Sequence, residues 1–96
     1  MVKIVVDVGR GIIAVGGELH ADAEEVLLEA GSKQGDLWGA NYYPWNPPEL
    51  RIEFTALINI RPHDDNPTME IINFEIRKRI QSLVENLLLG RDEELV

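Results

Sequence analysis

Gly16-Gly17-Glu18-Leu19-His20-Ala21-Asp22-Ala23-Glu24-Glu25 decides how the chain divides into elements. An apolar run enters this stretch, two glycines follow, a short polar alternation comes next, and a helix opens. The paired glycines permit a bulge or sharp bend that residues carrying a Cβ resist. Asp22 with Glu25 three positions on has the form of a capping box, in which side chains accept backbone N–H groups of an open first turn; such a cap stabilises by ~1 kcal/mol. Ala23, Val26, Leu27 and Ala30 then recur at helical spacing, with Glu24, Glu25 and Glu29 outside and Gly31 suited to the position past the C-terminus. A first helix is predicted over residues 22 to 31.

Upstream, Val2, Ile4, Val6 and Val8 alternate with Lys3, Val5 and Asp7, the period of a strand with a buried face. Gly9-Arg10-Gly11 supplies a tight turn, and Ile12-Ile13-Ala14-Val15 is apolar on both sides, as expected of a strand at the sheet centre or covered on both faces. These two strands form a hairpin.

Downstream, Ser32 to Asp36 is a loop, and Leu37 to Tyr43 reads as a third strand with Trp38, Ala40 and Tyr42 on one side. Pro44-Trp45-Asn46-Pro47-Pro48 is a turn or wide hairpin loop, since prolines cannot donate. Glu49 to Arg61 has the clearest alternation, with Leu50, Ile52, Phe54, Ala56, Ile58 and Ile60 sharing one face of a predicted long fourth strand. Pro62 to Thr68 is a polar loop. The last helix starts after Asn66, with Pro67 first, or after Asn73, leaving Met69 to Ile72 extended; the later start is preferred. Ile76, Ile80, Leu83, Val84 and Leu87 form its apolar stripe, Glu75 and Arg79 an i,i+4 pair, and Gly90 its stop. The order ββαββα points to one α+β domain, residues 1–90, with a four-stranded mainly antiparallel sheet and both helices packed on it, expected on one face. Residues 91 to 96 are expected to form a frayed acidic tail.

Ninety-six residues bury only roughly 60–65% of the surface the unfolded chain exposes, so an interface with a second copy would help, and a homodimer is expected. The absence of cysteine excludes disulfides, thiolate metal sites and cysteine nucleophiles. No stretch has the form of a signal peptide or a membrane span, which places the chain in the cytoplasm. Seventeen acidic against nine basic residues give a net charge of −8, which disfavours nucleic acid and anionic membranes as partners.

Glu18, His20 and Asp22 alternate. A strand running through them would point one imidazole and two carboxylates the same way, giving part of a divalent-metal site or a general base oriented by an acid. His63, Asp7 or Glu53 would complete the site only if the fold brought them near. Alternatively Asp22 only caps the helix, Glu18 pairs with a basic residue, and His20 satisfies a backbone carbonyl at the strand–helix junction. No serine lies in a nucleophile-elbow context and no glycine pattern resembles a phosphate cradle. Trp45, among prolines, either presents an aromatic to a partner or plugs its own loop.

Val5-Val6-Asp7, Gly11-Ile12, Gly16 to Glu24, Gly31-Ser32-Lys33-Gln34, Leu37 to Pro44 and Ile58-Asn59-Ile60-Arg61-Pro62 together resemble a family of small uncharacterised prokaryotic proteins, a domain of unknown function. The resemblance runs over nearly the whole chain and implies no activity. It makes Glu18, His20, Asp22, Trp38, Asn41, Asn59 and Arg61 parts of the family's motif strings, with Trp38, Asn41, Asn59 and Arg61 as candidate binding residues. Where similar proteins have Asp-Pro before the last helix, this chain has Asn73-Phe74.

Overall fold

A computed structural model describes residues 1–90; the expected acidic tail, 91–96, lies outside the described residues. The elements are β1 (Val2–Asp7), β2 (Ile12–Val15), α1 (His20–Glu29), β3 (Leu37–Tyr42), β4 (Ile52–Glu53) and α2 (Phe74–Leu87). They form an α+β fold whose antiparallel sheet has the order β2-β1-β3-β4.

The predicted hairpin is present, with Ile4 opposite Val15 and Asp7 opposite Ile12. Asp7 closes its turn: its carboxylate accepts the N–H groups of Gly9 and Arg10 at 2.9 and 2.8 Å and the Ser32 hydroxyl at 2.6 Å. Burial pushes the Asp7 carboxyl up, and these hydrogen bonds outweigh it and hold the group below its ordinary value. Of the two readings the sequence allowed for the second strand, a place at the sheet centre does not hold. β1 is central and buried from Ile4 to Asp7, whereas β2 is an edge strand with Val15 54% exposed. An apolar run marks burial of side chains, but it does not say how many strand neighbours the backbone has.

The helices pack on opposite faces, which corrects the expectation of a shared one. Val5 and Leu37 meet Ala23 and Leu27 of α1, while Ile4, Val6, Trp38, Ala40 and Tyr42 meet Ile80, Leu83 and Val84 of α2. Strand alternation alone divides the core this way. Gly16 and Gly17 bend the chain at φ 101° and 85°, as the sequence suggested. The first helix opens two residues early. Its N-cap is Leu19, and Asp22 works from the third position by accepting the Leu19 N–H at 3.1 Å. The buried stripe is His20, Ala23 and Leu27, so Val26 and Ala30 lie outside it.

α2 begins where expected. The Asn73 side chain accepts from Glu75 and Ile76 N–H at 2.9 and 3.2 Å. The stripe ends at Val84, with Leu87 exposed, and Arg79 reaches the Val8 carbonyl of the hairpin.

The predicted strand from Glu49 to Arg61 is the main error. Only Ile52–Glu53 pairs with β3, between 3₁₀ turns at Pro48–Leu50 and Leu57–Asn59. Leu57 is 69% exposed, whereas Asn59, which strand alternation puts opposite the apolar face, is fully buried. Asn59 explains the departure. Its Oδ1 accepts the Gly39 N–H at 2.8 Å and its Nδ2 donates to the Gly39 and Met69 carbonyls at 2.9 and 3.0 Å. One side-chain amide thus takes the place of a strand beside Gly39, and residues 55–58 cross the face of β3 instead of extending β4. A Cβ at Gly39 would stand 2.6 Å from that of Ala56, so the crossing requires glycine. Asn66, also buried, holds the next turn by donating to the Asn59, Thr68 and Glu70 carbonyls and accepting the Ile72 N–H.

Replacing Asn59 with alanine strands three buried backbone groups, each worth about 1–3 kcal/mol when unsatisfied. Urea unfolding of Asn59→Ala is expected to show a loss of about 3 kcal/mol; a loss under ~1 kcal/mol contradicts the assignment.

Candidate functional site

The three residues expected to converge do not. His20 is the first residue of α1, and its buried ring reaches inward, Nε2 lying 2.8 Å from the Ala40 carbonyl oxygen. Asp22 is exposed and engaged as a cap, and Glu18 is exposed on the bend. A helix separates positions i and i+2 by about 200°, so the strand alternation on which a shared rim depended is lost. Nor does a third residue join: Asp7 closes the hairpin, Glu53 bonds Asn41, and His63 is exposed in the Pro62–Asp64 turn. Among the described residues, no three histidine or carboxylate side chains are grouped to hold a metal ion. His20 instead takes the alternative role of satisfying a main-chain oxygen.

Since a carbonyl only accepts, Nε2 carries the hydrogen, and Nδ1 is the acceptor of the neutral ring. Burial pushes the His20 pKa below its ordinary 6.5 and Lys3 adds to the lowering, against the hydrogen bonds with the Ala40 carbonyl and the Asn41 side chain, which favour the charged ring.

Three of the four candidate binding residues make contacts within the fold. Asn59 is the clamp described above. Trp38 is buried, and the Arg61 guanidinium stacks 3.7 Å from its ring centre while donating to the Gln34 carbonyl at 2.7 Å. Asp64 stands 3.7 Å from Arg61 Nε.

Asn41 is different. It lines a half-open recess of about 300 Å³ between the first turn of α1 and the crossing segment. Leu19, His20 and Ala21 form one wall, Thr55, Ala56, Leu57 and Ile58 the other, and Met69 closes an end. The polar floor is Lys3 on β1 and its cross-strand partner Asn41 on β3, and Glu53 on β4 pairs with Asn41 on the other side, outside the lining. Cross-strand partners share a face about 4.5–5.5 Å apart, so an ammonium, an amide and a carboxylate stand side by side. Asn41 Nδ2 donates to Glu53 at 2.7 Å, which fixes the amide orientation, and its Oδ1 is sealed from solvent beside the His20 ring. Among the described residues Lys3 makes no ion pair. Lys3 and the Leu57 turn were absent from the sequence candidates. The signal for Lys3 was its place as a cation within an apolar strand; no local signal predicted the turn, which depends on Gly39 from another strand. Trp45 is 72% exposed, which removes the reading of it as a plug.

A family model described as "Protein of unknown function (DUF5674)" matches residues 1–87. No curated protein and no solved structure matches the chain. Among the described residues no helix is long and apolar enough to cross a membrane.

Because the folded ring resists protonation, the unfolded chain takes up the proton first as pH falls. The His20 contribution is therefore complete above pH 6.5 and is lost as pH drops from there through the lower folded value. Urea unfolding is expected to show this decline in the wild type and a weaker one in His20→Gln; equal pH dependence in the two proteins contradicts the burial of His20.

Proposed function

We propose, for a chain that belongs to the DUF5674 family of proteins of unknown function, that it is a binding domain whose site is the recess over Lys3 and Asn41. The observation that carries this reading is the recess itself, a half-open and largely apolar space with Leu19, Ala56, Leu57, Ile58 and Met69 around it and the Lys3 cation, which makes no ion pair among the described residues, at its floor. The apolar walls favour a molecule with an apolar body, and about 300 Å³ limits it to a small one.

The reading includes a second copy of the chain and a cytoplasmic setting, the latter supported by the absence of cysteine. Gly16 N–H bonds the Lys3 carbonyl, so ladder alternation turns the N–H and C=O of Ile13 and Val15 away from β1. That edge carries neither lysine nor proline to discourage pairing. Antiparallel pairing of two β2 strands about Ala14 sets Ile13 of one copy against Val15 of the other. It also brings Arg10, beyond one end of the strand, toward Glu18, beyond the other.

Two measurements test these statements. NMR titration with small apolar carboxylates is expected to shift the amides of Lys3, Asn41 and Leu57, and titrations that shift none of the amides around the recess contradict the binding-site reading. Light scattering is expected to give a dimer for the wild type and a monomer for Val15→Lys, and a monomeric wild type removes the pairing.

A further inference from the structure

We propose that the recess takes a free monocarboxylate with a small apolar body, a ligand class that rests on the reading of this recess as the binding site. The charge of the lining selects an anion. The chain carries 17 acidic against nine basic residues, yet among the described residues no carboxylate lines the recess, and Lys3 does. The nearest acids are engaged elsewhere: Glu53, beyond Asn41, accepts from the Asn41 amide, and Asp22 accepts the Leu19 N–H at the bend. Among the described residues no side chain pairs with the Lys3 ammonium, so its charge is open to a ligand. His20, the other lining side chain that titrates, is kept neutral at pH 7 by burial. Lys3 therefore supplies one positive charge and no more.

A monocarboxylate answers that single charge and the apolar walls together. The opening turn of α1 forms one wall, and its N-cap is Leu19, whose side chain cannot accept a hydrogen bond. The N–H groups of His20 and Ala21 consequently have no acceptor among the described residues. With the positive end of the helix dipole they reinforce the Lys3 ammonium toward an anion and oppose a cation. The body of the ligand lies against Leu57, Ile58 and Met69. Phosphate and sulfate do not suit these surroundings, because one ammonium among apolar walls does not replace the water around a doubly charged ion. A neutral apolar molecule leaves Lys3 unanswered. About 300 Å³ is the lower end of the range of small-molecule pockets, roughly 300–1,000 Å³, which suits an acid the size of 4-methylpentanoate and not a long-chain fatty acid.

The test is titration of the whole protein, followed by NMR amide shifts and calorimetry. The probes are 4-methylpentanoate, 4-methylpentanamide (the same body without charge), isoamylamine (a cation), acetate (no apolar body), inorganic phosphate and N-acetylglycyl-leucine (a peptide C-terminus). The branched acid is expected to shift Lys3, Ala21 and Leu57 and to bind at least tenfold more tightly than the other five. Lys3→Met is expected to bring the acid down to the affinity of the amide and to leave the amide unchanged; an undiminished preference for the acid overturns the proposal. Leu57→Glu, a change at an exposed position, sets a carboxylate on the rim and is expected to weaken the acid more than the amide, and an equal loss for both overturns the proposal as well. Binding of the amide or the amine as tight as that of the acid overturns the carboxylate and leaves the recess as a site for another class. Equal binding of acetate or phosphate overturns the apolar body. Equal binding of N-acetylglycyl-leucine transfers the site to peptide C-termini and overturns the free acid. Failure of every probe to shift the recess overturns the binding-site reading itself.

Discussion

A glycine on a central strand and an asparagine twenty positions later determine the shape of this protein. Gly39 faces β1 on one side, and on the other its N–H and C=O meet the Asn59 side chain, which supplies both an acceptor and a donor. A primary amide has the same hydrogen-bonding groups as a peptide unit, so it can close a sheet edge without a strand. The chain is then free to leave the sheet after Glu53, and the missing Cβ at Gly39 lets Ala56 and Ile58 lie directly on β3. Asn66 repeats the device by collecting three carbonyls and an N–H from the irregular return to α2. Two buried amides thus satisfy a loop that regular pairing does not reach.

The recess is a by-product of this departure. Had β4 run on to Arg61, as alternation suggested, the polar side chains of that strand would stand beside Asn41 in the sheet. With the segment crossing the sheet, Ala56, Leu57 and Ile58 form a wall above Lys3 and Asn41. The apolar wall and the polar floor come from the same backbone path, so the chemistry of the site depends on the amide clamp. His20 contributes in a similar way: it fixes the start of α1 to β3 through Ala40 and sets the opposite wall.

Features that depend on neighbours in sequence were legible. The Gly9–Gly11 turn, the bend at Gly16-Gly17, the third strand and the Asn73 start of α2 each follow from local backbone and capping chemistry. Features that depend on distant partners were not. Asn59 reads as an outward polar residue until Gly39 is placed beside it, and the apolar alternation from Leu50 to Ile60 looks like one strand for the same reason. Ile12 to Val15 reads as central because nothing in a short apolar run shows that the sheet stops there. Glu18, His20 and Asp22 converge only if strand geometry persists, and the helix begins at the middle one. Of the candidate site residues, His20 and Asn41 line the recess, and the place of Lys3 beside Asn41 becomes visible only through strand register.

The most direct measurement is amide hydrogen exchange at Gly39. If the Asn59 side chain occupies the missing strand position, the Gly39 N–H is protected to the same degree as interior β1 amides in the native protein. Exchange as fast as that of an open sheet edge would contradict the clamp and, with it, the path of residues 55–58 that builds the recess.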